Sequence, residues 1–321
     1  MKQRNNDGKG GHVPLFLQKN GEKKGDRKQE LLHLLCVMVF AGTAIWLGGY
    51  GIFNVWRNMR AYRTQENLQT IRNEADAPAQ FEMQYGGNGL PAAGIDAFLD
   101  DLFQEWPVTE QRPAEPEIMP RYQSLYDLNH DMAGWLSIEG TVIDYPVMQT
   151  PEDENYYLNL DFYGQPDKNG CLILDTDSEA GTGTKDHGYT DGNPPSTNLI
   201  IHGHTMKSGD MFGNLKLYAD EEYGKEHRKI CFDSLYEERA YELIAVFYSQ
   251  VYYEKDEVFK YYKFFQADTE EEFRDWYENI TAMSLYDTGV RAEFGDEFIT
   301  LSCCSYQVED GRFVVVGKRI E

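Results

Sequence analysis

The hydrophobic pattern of this chain changes character twice. From Leu31 to Phe53 the residues are apolar almost without interruption, with no acidic or basic side chain except His33. A run of this length matches the ~20 apolar residues that cross a bilayer as one helix. A buried helix or a cleaved signal peptide would also be apolar, but the run exceeds the ~7–15-residue signal core and has no clear small-x-small cleavage site. Residues 31–53 are therefore expected to span a membrane once. Lys19, Lys23, Lys24, Arg27 and Lys28 precede the run and Arg57, Arg60 and Arg63 follow it, so the positive-inside bias is slight. The short polar stretch of residues 1–30 is the natural cytoplasmic tail, and the larger remainder the exported side.

Beyond the span the apolar run gives way to mixed, helix-forming composition without proline from Asn58 to about Ala75, which predicts a juxtamembrane helix. Turn-rich segments at Tyr85–Pro91 and Arg112–Pro116 then bracket a short amphipathic run, Ile95–Phe103. Residues 54–119 as a whole read as a stalk with helical segments.

From about Pro120 the pattern becomes short runs closed by turn residues. Eight such runs are predicted as strands: 135–138, 142–145, 171–174, 198–201, 230–232, 241–246, 298–301 and 313–316. Their number and spacing suggest a sandwich or a closed barrel. One helix interrupts them over 269–280, opening on the capping-box pair Thr269 and Glu272 and placing Phe273, Trp276, Tyr277 and Ile280 on one face. Such a helix either covers the sheet or shapes a groove. Residues 178–197, rich in Gly, Thr, Asp and Pro, read as a long surface loop.

Charge and cysteine content narrow the function. With 54 acidic against 30 basic residues the formal charge is -24, so the surface repels nucleic acid phosphates and no nucleic acid partner is expected. Five cysteines, one of them in the apolar run and two adjacent, do not make a disulfide framework. Cys303 and Cys304 end one β-run and Arg312 opens the next, which sets a thiol beside a fixed cation. An ordinary thiol, with a pKa of ~8.5, is only a few per cent thiolate at neutral pH and needs such a neighbour to act as a nucleophile. A guanidinium stays charged and offers several donors in a fixed fork, which suits it to an oxyanion. His202-Gly203-His204 ends the 198–201 run and supplies an acid or base. His-x-His is also a metal-ligand spacing, but it lacks an evident third protein ligand. On strand alternation one of Cys303 and Cys304 must face the core.

Several of these stretches carry a resemblance. Thr300-Leu301-Ser302-Cys303-Cys304 resembles the TLxTC nucleophile motif of sortases, and Arg312 with Phe313–Val316 resembles the arginine strand that closes that fold. Asn198–Phe212 is similar to the NxxIYGHNMKxGxMF segment of class B sortases, and Gly134–Ile138, Thr141–Gln149, Tyr156–Asn159 and the helix at 269–280 are similar to that class in the same order. The resemblance covers residues 120–321. It implies a mainly β fold, an eight-stranded β-barrel with peripheral helices after an N-terminal transmembrane helix, and 120–321 as the catalytic domain.

The implied activity is transpeptidation by a membrane-anchored enzyme of Gram-positive bacteria without cofactor or metal. It implies Cys304 as nucleophile, His204 as its partner and Arg312 as oxyanion ligand, with Ser302, Cys303 and His202 at the substrate. The implied partners are secreted proteins with a C-terminal sorting signal cut after Thr, and an amine of the peptidoglycan precursor. Two positions depart from the family pattern: Cys303 stands where threonine is usual, and His202 where tyrosine is. Adjacent cysteines could also form a vicinal disulfide. A hydrolytic cell-wall cysteine peptidase and a membrane-tethered binding module are the competing readings.

Overall fold

The computed structural model describes residues 19–76 and 117–320. Most of the expected cytoplasmic tail, and the amphipathic run at 95–103 with the turn-rich segments around it, lie outside the described residues. The chain divides into two compact units, residues 1–60 and 61–321. Helix α1 runs over Lys19–Asp76 and contributes to both. In the first unit its apolar side chains, Phe40, Ile45, Trp46 and Ile52 among them, are exposed, and among the described residues none in this apolar stretch is buried. A helical stretch that is apolar all round is suited to lipid.

In the second unit, strands β1 (Met132–Ser137), β2 (Asp144–Met148), β3 (Leu172–Leu174), β4 (Asn198–Gly203), β5 (Lys229–Ser234), β6 (Ala240–Gln250), β7 (Phe298–Cys304) and β8 (Gly311–Arg319) close into a barrel in the order β1-β2-β3-β4-β7-β8-β6-β5. All eight predicted runs are strands. The largest shift is at β2, expected over 142–145. Gly140, at φ 78°, turns the chain, and Ile138 N–H bonds the Ile143 carbonyl, so Val142 falls in the turn and pairing starts at Asp144 opposite Ser137.

Alternation along each strand separates two packed layers. Leu199 and Ile201 of β4, Ile299, Leu301 and Cys303 of β7, and Phe313 and Val315 of β8 fill the interior with Leu172, Phe212 and Phe232. On the opposite face of β6, β7 and β8, helix α4 (Glu270–Met283) lays Phe273, Trp276 and Ile280 against Phe247, Phe298, Val314 and Val316. Its capping box forms as predicted, with the Thr269 side chain accepting from Glu272 N–H and the Glu272 carboxylate accepting from Thr269 N–H. The helix covers the sheet.

Two short helices were not evident in the sequence. One, α2 (Pro120–Leu128), starts on a proline whose fixed φ suits the first helical position; α3 (Glu221–Glu226) is capped by Asp220.

Residues 61–76, expected to belong to a stalk, are built into the barrel unit. Leu68 is 1% exposed and packs with Tyr122, Leu125, Trp135 and Phe162. Arg72 lies 4.5 Å over the Trp135 ring and reaches Asp144 Oδ1 at 2.8 Å, and Trp135 Nε1 donates to the same carboxylate oxygen at 2.7 Å. Gln65 and Gln69 also bond Asp144. An apolar stripe of Leu68 and Ile71 beside a capping arginine makes this helix end a second cover for the barrel. Leu68→Ala is expected to lower unfolding stability by about 2–4 kcal/mol, read by denaturant unfolding of the detergent-solubilised chain; a stalk that touched nothing would show no change.

Candidate active site

Three strand ends meet at one rim of the barrel. β4 runs parallel to β7 with His202 opposite Ser302 and Gly203 opposite Cys303, and β7 runs antiparallel to β8 with Cys303 opposite Phe313 and Cys304 opposite Arg312. His204 follows directly on the last β4 pair. The glycine between the histidines faces inward, where a Cβ would stand 2.5 Å from the Phe212 ring and 2.6 Å from Leu172. A side chain cannot fit there, so His202 and His204 flank an inward glycine and leave toward the same, outer face.

The same alternation separates the two thiols. Cys303 is 2% exposed inside the barrel, and burial pushes its thiol up to about 11 despite a Thr205 hydrogen bond and the nearby Arg312 and Lys216 charges. Cys304 is exposed at the strand end. Both are free and leave β7 on opposite faces. Cys171, also free, is buried and its thiol is driven higher still by burial.

The groups around Cys304 are held by backbone contacts. Thr205 Oγ1 donates to the Cys304 carbonyl at 2.6 Å, tying the end of β7 to the chain leaving β4. His204 Nε2 lies 2.7 Å from the Leu158 carbonyl in the 3-10 turn Tyr156–Asn159. A carbonyl only accepts, so Nε2 carries a proton and Nδ1 makes no hydrogen bond among the described residues. Among the described residues Arg312 donates only to the carbonyls of Asp310 and Gly311, at 3.3 and 3.1 Å. Among the described residues it has no carboxylate partner, whereas Arg72 pairs with Asp144, Arg239 with Glu237 and Arg319 with Glu297. An uncompensated guanidinium opposite an exposed thiol can hold a thiolate or an oxyanion.

Cys304, His204, Arg312 and His202 line one cavity of about 420 Å³, with Ser302 and Cys303 at its floor. Ser302 is 1% exposed and its Oγ lies 2.8 Å from the hydroxyl of Tyr261, which is itself buried. This bond pins the Tyr261–Phe265 segment that walls the cavity, so Ser302 positions the wall from beneath. His202 bonds Asp175 Oδ2 at 3.0 Å, with Glu154 Oε1 at 3.6 Å. Among the described residues these three form the one group placed to hold a cation; His204 is outside it, so the His-x-His pair does not form a chelate. Burial and the neighbouring Asp175 raise the Glu154 carboxyl above its ordinary range, with the His202 charge opposing them. Tyr261, Lys263, Asp175, Glu154 and Thr205 were not singled out from sequence. They come from loops or strand ends separate from the cysteine strand, and no local spacing marks them.

No family model matches the chain. It is 31% identical over 207 residues to sortase B of Listeria monocytogenes, covering 64% of this chain and 76% of that protein. To sortase B of Staphylococcus aureus it is 27% identical over 209 residues, 64% of this chain and 78% of the other. Among solved structures, sortase B of Bacillus anthracis matches with a TM-score of 0.52 at 28% identity over 70% of this chain and 94% of that one. The closed barrel and these relatives define a sortase, a cysteine transpeptidase. Within that class the chain belongs to the class B sortases.

Proposed function

We propose that Cys304, His204 and Arg312 perform a two-step transpeptidation that joins a secreted protein to an amine of the peptidoglycan precursor at the outer face of the membrane. In the first step the Cys304 thiolate attacks the Thr carbonyl carbon of a C-terminal sorting signal. A C–S bond forms, the peptide C–N bond breaks, and His204 gives a proton to the departing amine. The Arg312 fork receives the oxyanion that develops on the Thr carbonyl oxygen. In the second step an amine takes the acyl group from sulfur.

The register pair Cys304 and Arg312, with His204 at the neighbouring strand end on the same cavity, is the observation that carries this reading. The exposed apolar stretch of α1 supports a single-pass anchor, with residues 1–30 as the cytoplasmic tail, residues 31–53 as the span and the barrel unit outside. Anchoring suits the reaction because both substrates are delivered at the membrane.

The detergent-solubilised chain incubated with xPxTx peptides and a primary amine is expected to give the peptide–amine amide as the main product. Free peptide acid alone, with the amine never incorporated, would favour a peptidase, and no cleavage with any peptide would favour a binding module.

A further inference from the structure

Cys304 borders a second cavity. This one, of about 430 Å³, is walled by Thr205 to Lys207, Lys216, Tyr248, Phe313 and the Ser305–Gln307 turn that follows the cysteine strand. The two cavities differ in charge. The first carries Glu154, Asp175 and Asp177 beside Lys263 and Arg312. The second has Lys207 and Lys216 and no acidic residue, in a chain whose 54 acidic residues outnumber its 30 basic ones. Both lysines are exposed, and neither makes an ion pair among the described residues. Lys216 is close enough for its charge to act on the neighbouring Cys303 thiol.

A thiol that handles two substrates in turn needs two approaches. Once the sorting peptide is bound to sulfur it fills the first cavity, and the second substrate must reach the thioacyl carbon from the other side. The second substrate is an amine, which at neutral pH arrives mainly as ammonium. Two lysines repel a simple cation, but they attract an amine that brings its own anion.

We propose that the second cavity is the acceptor subsite and that it takes an amine also bearing a carboxylate, the carboxylate paired with Lys207 and Lys216 while the amine reaches Cys304. The proposal rests on the transpeptidase reading above. In the step it serves, the neutral amine nitrogen attacks the thioacyl carbon, a C–N bond forms and the C–S bond breaks. Cys304 leaves as thiolate, and the proton released from nitrogen passes to His204 or water.

The test compares Nα-acetyl-lysine with Nα-acetyl-lysinamide as acceptors, their Nε amines being alike and only one molecule carrying a carboxylate. With the solubilised full chain and a cleavable sorting peptide, the acid form is expected to show a KM on the order of tenfold lower than the amide form. In the double variant Lys207→Gln, Lys216→Gln that difference is expected to collapse, by a rise in KM for the acid form and with little movement for the amide form. Misfolding would instead impair both acceptors together. Equal KM values in the wild-type chain, or a preference that survives in the double variant, would overturn the proposal alone. Failure to form an amide with either acceptor would overturn the transpeptidase reading and the proposal with it.

Discussion

Cys304→Ala is expected to abolish thioacyl formation and reduce turnover by at least ~10³-fold, while unfolding stability stays within about 0.5 kcal/mol of wild type. The side chain is exposed at the end of β7, so little packing is lost with the sulfur, whereas the covalent route has no substitute. Cys303→Ala is expected to do the reverse. Its sulfur is packed inside the barrel beside Phe313 and Gly203, and removing it leaves a small cavity that costs about 1–2 kcal/mol with activity largely retained. The double comparison, by peptide cleavage rate and denaturant unfolding, separates nucleophile from core thiol. If Cys303→Ala were the inactive variant, the assignment would be reversed.

Arg312→Lys is the second large effect, and it is expected to fail as a replacement. The guanidinium reaches the cavity from a strand position opposite Cys304 while two of its contacts are spent on the carbonyls of Asp310 and Gly311. Holding both those carbonyls and a developing oxyanion requires a planar fork with several donors, which an ammonium does not present. Loss of one such oxyanion donor costs roughly 10²–10³ in kcat. Steady-state kinetics should therefore show a fall in kcat for both Arg312→Lys and Arg312→Ala that exceeds any change in KM for the sorting peptide. A lysine variant with wild-type kcat would reduce Arg312 to a simple positive charge.

Much of the barrel could be read from the chain because its strands obey a short rule, apolar runs closed by turn residues. The rule left open which of Cys303 and Cys304 faces inward. That depends on how β7 sits between β4 and β8, where Cys303 falls in line with Ile299 and Leu301. The unusual cysteine in the family's threonine position thus occupies a core site, where a small apolar side chain fits.

His202, at a position where the family resemblance leads one to expect tyrosine, lies directly against Asp175 and Glu154, and nothing local to β4 announces those carboxylates. The place of Leu68 and Arg72 was equally hidden. A helix after a membrane run reads as a spacer unless its partner, Trp135 with Asp144 some seventy residues on, is known to lie under it. Of the two lysines of the second cavity, Lys207 lies in a turn and Lys216 in the 3-10 helix Leu215–Ala219, and they become a pair only through the fold. Periodicity reports one element at a time, and the parts left unread are those built between elements.

Both steps of the proposed reaction pass through an acyl-enzyme at Cys304. Intact and peptide-level mass spectrometry of the solubilised chain, quenched with acid during turnover of a sorting peptide without added amine, tests it most directly. The expected result is a single acyl adduct on the peptide containing Cys303 and Cys304, absent in Cys304→Ala and present in Cys303→Ala. An adduct that persists in Cys304→Ala, or none in the wild-type chain while peptide is being cleaved, would contradict the claim.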